Sequence, residues 1–156
     1  MAAQLIVTLT PIDKHQIKTI KNSWLTLEKN ANNSIFTSWY WIETWLAFIG
    51  YNTQLLTVTH QDEVIGLGFL SKYTLNKYGA SSKQLWLNRT GDAVKDQIWN
   101  EYNDILCEEG HEYAIRSAIL NYFDSHLKEF DELVIGVSNA SIVETPHTNN
   151  LMQLAT

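Results

Sequence analysis

Two apolar runs around a short polar break constrain this chain more than any other feature. Leu55 to Thr59 is aliphatic and β-branched, Gln61-Asp62-Glu63 reads as a turn, and Val64 to Tyr73 returns with the same character. Runs of this kind form an antiparallel hairpin, which commits the middle of the chain to a sheet. Gly66 and Gly68 lie two apart in the returning run, so they share one face of the strand. Their missing side chains permit close approach of a ring or another backbone. Gly66-Leu67-Gly68 is not a nucleotide fingerprint, because no helix follows it at once.

The flanking segments supply cover for that sheet. Gln4 to Thr10 reads as a strand stopped by Pro11. Asp13 and Gln16 have capping-box spacing, and a helix follows with Ile17, Ile20, Trp24 and Leu27 on one face. Asn30 to Asn33 end it. Ser38 is the N-cap of a second helix whose apolar face is Trp39, Ile42, Trp45, Leu46 and Ile49, closed by Gly50. This tryptophan stripe reads first as packed core and second as the lining of an acceptor cleft. After the hairpin, Tyr78 to Ser82 reads as a loop and Lys83 to Leu87 as a third sheet strand. Glu112 to Leu127 reads as a helix with Ile115, Ala118, Ile119 and Tyr122 inward. Leu133 to Val137 is a continuous apolar run, expected to be a central strand covered on both faces. From Ser138 the pattern stops. The expected fold is α+β (mixed α/β), with about five mostly antiparallel strands and about three helices. The expected domain covers residues 1–137, and 138–156 form a linker-like tail.

Composition removes several classes of function. The 156 residues fit one domain. A net charge of −6 argues against nucleic acid and anionic membrane as nonspecific partners. The apolar stretch Trp39 to Ile49 is too short for a membrane span and holds Glu43. A single cysteine, Cys107, excludes an internal disulfide and a thiolate metal cluster. With no basic leader before Leu5, it suits a reducing, cytoplasmic setting. His111-Glu112 begins like a zinc-binding HExxH, but position 115 is Ile, and no metal site is expected.

The stretch Asn88 to Leu106 is the chemical candidate. It opens on a turn, Asn88 to Asp92, then sets Asp92, Asp96, Glu101, Asn103 and Asp104 among Ile98, Trp99 and Tyr102. That mixture suits the wall of a cleft. Glu101 is the candidate general base for an amine acceptor, because apolar neighbours such as Trp99 and Tyr102 raise a carboxyl pKa. Trp99, Tyr102, Asn103, Asp104 and Arg89 are candidate acceptor contacts. The charged and amide candidates also have a structural reading: an ion pair for Glu101 and Arg89, and turn hydrogen bonds for Asn103 and Asp104. Asp92 reads as a cap, and Cys107, among acidic residues, is a poor nucleophile.

The pattern GD-x(3)-D-x-I-x(2)-EYN-x-(I/L)-L in this stretch resembles GNAT-type N-acyltransferases of the CelD-like/FemABX-like branch. Trp24-Leu25, Ile35 to Trp39, Trp41-Ile42, Trp45-Leu46 and Phe130 to Leu133 agree with that branch in order, from about Trp24 to about Val137. The resemblance implies a GNAT-like N-terminal half-domain and transfer of an acyl group from acetyl-CoA or another acyl-CoA to a small-molecule amine. It also implies a C-terminal GNAT-like half as partner. The family grips the acyl-CoA pyrophosphate with Q/R-x-x-G-x-G/A at a helix start. The nearest stretch here, Cys107 to Glu112, has one glycine and three carboxylates, so the cofactor site is expected outside this chain. The alternatives are a non-catalytic binding or regulatory domain on the same scaffold, lacking its own CoA site, and a half-domain folded only against its partner half.

Overall fold

The computed structural model describes residues 5–97, 102–126 and 129–136. Strand β1 is Ile6–Pro11, followed by helices α1 (Ile17–Glu28) and α2 (Trp39–Ile49). Three antiparallel strands come next: β2 (Gln54–His60), β3 (Glu63–Lys77) and β4 (Ala80–Leu87). A two-residue strand β5 (Leu106–Cys107) precedes helix α3 (Glu112–Ser125) and strand β6 (Glu132–Val134). The sheet runs β1-β2-β3-β4-β6, and β5 pairs with the early part of β3. The fold is therefore α+β: a six-strand, mostly antiparallel mixed sheet with three helices.

Local chemistry explains these boundaries. Asp13 accepts from the amides of His15 and Gln16 while Gln16 Oε1 accepts from the Asp13 amide, so the expected capping box is present. It opens a short 3-10 turn that leads into α1. Ser38 caps α2, and Gly50 ends it in the left-handed conformation at φ 80°. Gln61 and Asp62 both have positive φ, as a tight primed turn between β2 and β3 requires. Tyr78 and Gly79 repeat the device between β3 and β4.

That second tight turn corrects the expected loop. Ala80 to Ser82 pair with Lys77, Asn76 and Leu75, so the strand begins three residues before Lys83. Pro11 does not stop β1 but is its last paired residue, opposite Gln54. It sits on the outermost strand, where proline is tolerated. The apolar run at Leu133 is also placed differently. β6 lies at one end of the sheet among the described strands, parallel to β4, rather than at its centre. Its burial comes from α3, which supplies the long crossover that parallel pairing needs. Val137 and the tail expected over 138–156 lie outside the described residues.

The core lies on both faces of the sheet. On one side, Ile20, Trp24 and Leu27 of α1 and Trp39, Ile42, Trp45, Leu46 and Ile49 of α2 pack on Leu67, Phe69 and Leu106. The Trp24 ring stacks on Phe69 at 5.3 Å, and its Nε1 donates to the Thr37 carbonyl at 2.9 Å. The tryptophan stripe is therefore core. On the other side, Ile115, Ile119, Leu120 and Phe123 of α3 pack on Leu56, Val58, Leu70 and Leu85. Gly66 and Gly68 face α3. A Cβ built on Gly66 would stand 2.9 Å from Ile115 Cγ2, so this glycine is what lets the helix seat. Among the described residues no helix is long and apolar enough to cross a membrane.

Candidate functional site

β4 ends where the chemistry begins. Asn88, at φ 45°, turns the chain away from β3, but its amide still donates to the Phe69 carbonyl at 2.7 Å. Its Oδ1 accepts from the Phe69 amide at 2.9 Å, so one side chain replaces a missing strand partner. Its Nδ2 donates to Asn103 Oδ1 and to the Asp104 carbonyl. Asn103 is completely buried, and its Nδ2 donates to the carbonyls of Leu87 and Ile135. Two asparagines thus fasten the ends of β4, the start of β5 and the end of β6. Asn103 was a candidate acceptor contact; its amide is instead committed inside the protein.

The loop after Asn88 winds around Asp96. That carboxylate accepts from the amides of Thr90 and Gly91 and from the Thr90 hydroxyl, each at 2.8 Å. Asp92 caps the following short turn by accepting from the Val94 amide at 2.8 Å. Arg89 Nε lies 3.7 Å from Asp96, and its guanidinium covers the Trp86 ring at 5.4 Å. Gly91, at φ 79°, lies against Trp86 and Tyr73, where a Cβ would come within 2.7 Å of either ring. Arg89 therefore takes the ion-pair role and stands apart from the cleft described next.

That cleft, of about 80 Å³, opens between the Asn32–Thr37 segment, the Tyr102–Cys107 segment and the first turns of α3. Tyr102 and Asp104 line it, together with Ser34, Thr37, Glu112 and Arg116. Asp104 and Arg116 form a two-point pair: Nη2 to Oδ2 at 2.6 Å and Nε to Oδ1 at 3.3 Å. Burial disfavours the Arg116 charge, but the hydrogen bond and charge of Asp104 outweigh it, so the pKa is raised. Burial, then Asp104, pushes the Cys107 thiol up to about 12, which leaves it neutral and unreactive. Glu112 is half-buried, lines the same cleft, and its charge adds to that of Asp104 in raising the Arg116 pKa. Two carboxylates against one guanidinium leave the cleft lining one net negative charge.

Tyr102, 54% exposed, stands at the mouth. Its ring lies 6.2 Å from Phe36, whose own ring meets Trp41 edge-on at 5.1 Å. Glu101 and Trp99 lie outside the described residues. Of the expected site residues, the cleft thus brings together Tyr102 and Asp104. Sequence reasoning missed Arg116 and Glu112. The available signal was Arg116 beside Ile115 and three before Ile119, a charge at the border of an apolar helix face. A wider groove of about 530 Å³ runs between α1 and the start of β3, past Asn22, Thr26, Glu63 and Glu108. No expected site residue enters it.

The start of α3 does not suit a pyrophosphate. His111 Nδ1 lies 3.1 Å from Glu108, and Glu112 occupies the first turn. These carboxylates oppose a polyanion. Among the described residues no group of His, Cys, Asp and Glu could hold a metal ion.

The chain was compared with protein-family models, curated proteins and solved structures. None of them matches it.

Proposed function

We propose that this domain is the acceptor side of an acyl-CoA-dependent N-acyltransferase, the N-terminal half of a GNAT-type enzyme of the CelD-like/FemABX-like branch. The observation that carries the reading is the charge arrangement in the cleft. Asp104 and Glu112 both act on Arg116, and the three together leave the cleft one net negative charge to meet a cation. An amine acceptor arrives as an ammonium ion and must lose a proton before it attacks an acyl group. Glu112 would hold the ammonium, and Glu101, adjacent in sequence to Tyr102, is the proposed base. Acetyl-CoA or another acyl-CoA is the proposed donor, held on a C-terminal GNAT-like half. No step is assigned to it here, because the start of α3 does not fit its pyrophosphate.

The order of elements, which is strand, two helices, three strands, a two-residue strand, helix and strand, is compatible with the first half of a GNAT fold. The carboxylates at the start of α3 favour one alternative, a binding or regulatory domain that never meets acyl-CoA.

Calorimetric titration of the chain with ethylamine and with acetyl-CoA tests these readings. The expected result is one site for ethylamine, lost in Glu112→Gln, and no heat from acetyl-CoA. Saturable binding of acetyl-CoA would mean that the chain carries a complete cofactor site, and the half-enzyme reading would fall. Absence of amine binding would remove the acceptor role.

A further inference from the structure

We infer that the cleft selects an amine carried on a flat or extended apolar body, with the ammonium at Glu112 and the body over Tyr102 and Phe36. This rests on the acceptor-side reading above and names its substrate class. Three observations converge on it. First, Tyr102 belongs both to the cleft and to a run of rings, Tyr102–Phe36–Trp41, that leads from the cleft mouth across to α2. Second, that run is open to solvent at its cleft end, where Tyr102 is 54% exposed, and Ile35, next to Phe36 in sequence, is 63% exposed. Exposed apolar groups gathered beside a polar cleft are a binding signature rather than ordinary surface. Third, the two halves of the site are complementary in charge to one kind of molecule. The cleft lining carries one net negative charge, Asp104 and Glu112 against Arg116, and ring faces attract both apolar surface and cations.

A small hydrophilic amine would use the carboxylate and leave the rings in water. A neutral aromatic would cover the rings and leave Glu112 unmatched. Only a molecule carrying both groups uses the whole site. Tyr102 and Phe36 are then specificity residues, while Asp104 and Arg116 hold the wall in place.

The test is calorimetric titration of the chain with 2-phenylethylamine, ethylamine and 2-phenylethanol, repeated in Tyr102→Ala, Phe36→Ala and Glu112→Gln. Binding of 2-phenylethylamine at least about tenfold tighter than either of the others is expected. Tyr102→Ala, at an exposed position, should reduce the advantage over ethylamine to about threefold or less without shifting the melting temperature. Phe36→Ala should reduce it in the same direction. Glu112→Gln should erase the advantage over 2-phenylethanol. If ethylamine binds as tightly as 2-phenylethylamine, the ring-selectivity inference is wrong and the acceptor-side reading survives. Equal binding of 2-phenylethanol would show an apolar site with no preference for amines and would overturn the inference. Failure of both amines to bind would remove the acceptor-side reading and the inference with it.

Discussion

Asn88 and Asn103 meet inside the protein, with Nδ2 of the first 3.0 Å from Oδ1 of the second. They are fifteen residues apart in sequence, and between them they satisfy the backbone of β3, β4 and the segment that follows β6. A polar pair in this position holds strand ends together where regular ladder pairing has stopped. Buried polar groups of this kind cost most when one partner is removed, because the others are left dry and unpaired.

Asn103→Leu should therefore cost about 2–4 kcal/mol, since it removes the donor to two carbonyls and the acceptor of one Asn88 amide hydrogen and adds bulk at a buried site. Urea unfolding at equilibrium would measure it. A loss below about 1 kcal/mol would mean that water or a shifted backbone satisfies these groups.

Gly66 leaves room for Ile115 of α3 against the sheet. Gly66→Ala places a Cβ against Ile115 Cγ2 and Val58 Cβ, at 2.9 and 3.1 Å, and should cost about 1–3 kcal/mol. In an Ile115→Ala background the same change should cost at least about 0.5 kcal/mol less, because the two side chains compete for one space. Strict additivity would show that α3 moves freely away from the sheet.

The tryptophan stripe of α2 makes a paired prediction. Trp45 is buried against Phe69, with ring centroids 6.1 Å apart, and Trp45→Ala should cost about 3–5 kcal/mol. Tyr40 projects from the same helix at 79% exposure, and Tyr40→Ala should change stability by no more than about 0.5 kcal/mol. Thermal and urea melts of the two variants check the assignment of the helix faces.

Cys107 gives a pH signature. Its folded pKa is raised by burial and by Asp104 from an ordinary value of 9.0 to about 12. Below pH 9.0 both folded and unfolded states hold the proton, and the contribution to stability is complete. Between 9.0 and about 12 only the unfolded chain gives it up, so stability falls as pH rises. The expected slope from this group is up to about 1.4 kcal/mol per pH unit. Cys107→Ala should lack that part of the alkaline loss, as seen in the difference between two stability curves. Coincident slopes would show that the thiol ionises freely in the folded protein.

Helices α1 and α2 were legible because each carries its own periodic signal, whereas α3 buries Leu120 and Phe123 beside Ile115 and Ile119 and leaves Ala118 and Tyr122 half-buried. The buried sets of α1 and α2 match the spacing of Ile20, Trp24 and Leu27 and of Trp39, Ile42, Trp45, Leu46 and Ile49. β5 was not legible, since two residues carry no period; Leu106 and Cys107 are a strand only because β3 extends alongside them. Ala80 to Ser82 hid for a related reason. They pair with the outer part of β3, where both strands are polar and largely exposed, so no apolar alternation marks them. Leu133 to Val137 suggested a central strand because burial reads the same wherever it originates. The polar stretch was recognisable as special, but its parts were not separable in advance. Asn103 faces inward, Asp104 faces the cleft, and Arg89 faces Asp96, and those directions depend on turns that composition does not encode.

The pairing of β4 with β6 also orders events in time. Gln84 and Glu132, joined across these two strands, are 48 residues apart in the chain. The hairpins of β2, β3 and β4 close through neighbours and can form early, whereas β6 must wait for the whole intervening stretch to be gathered in. The cleft has the same schedule. Its walls come from either side of the early hairpins, and its ion pair forms only after α3 settles over Gly66. A folding intermediate caught before that step would carry a sheet and no binding site.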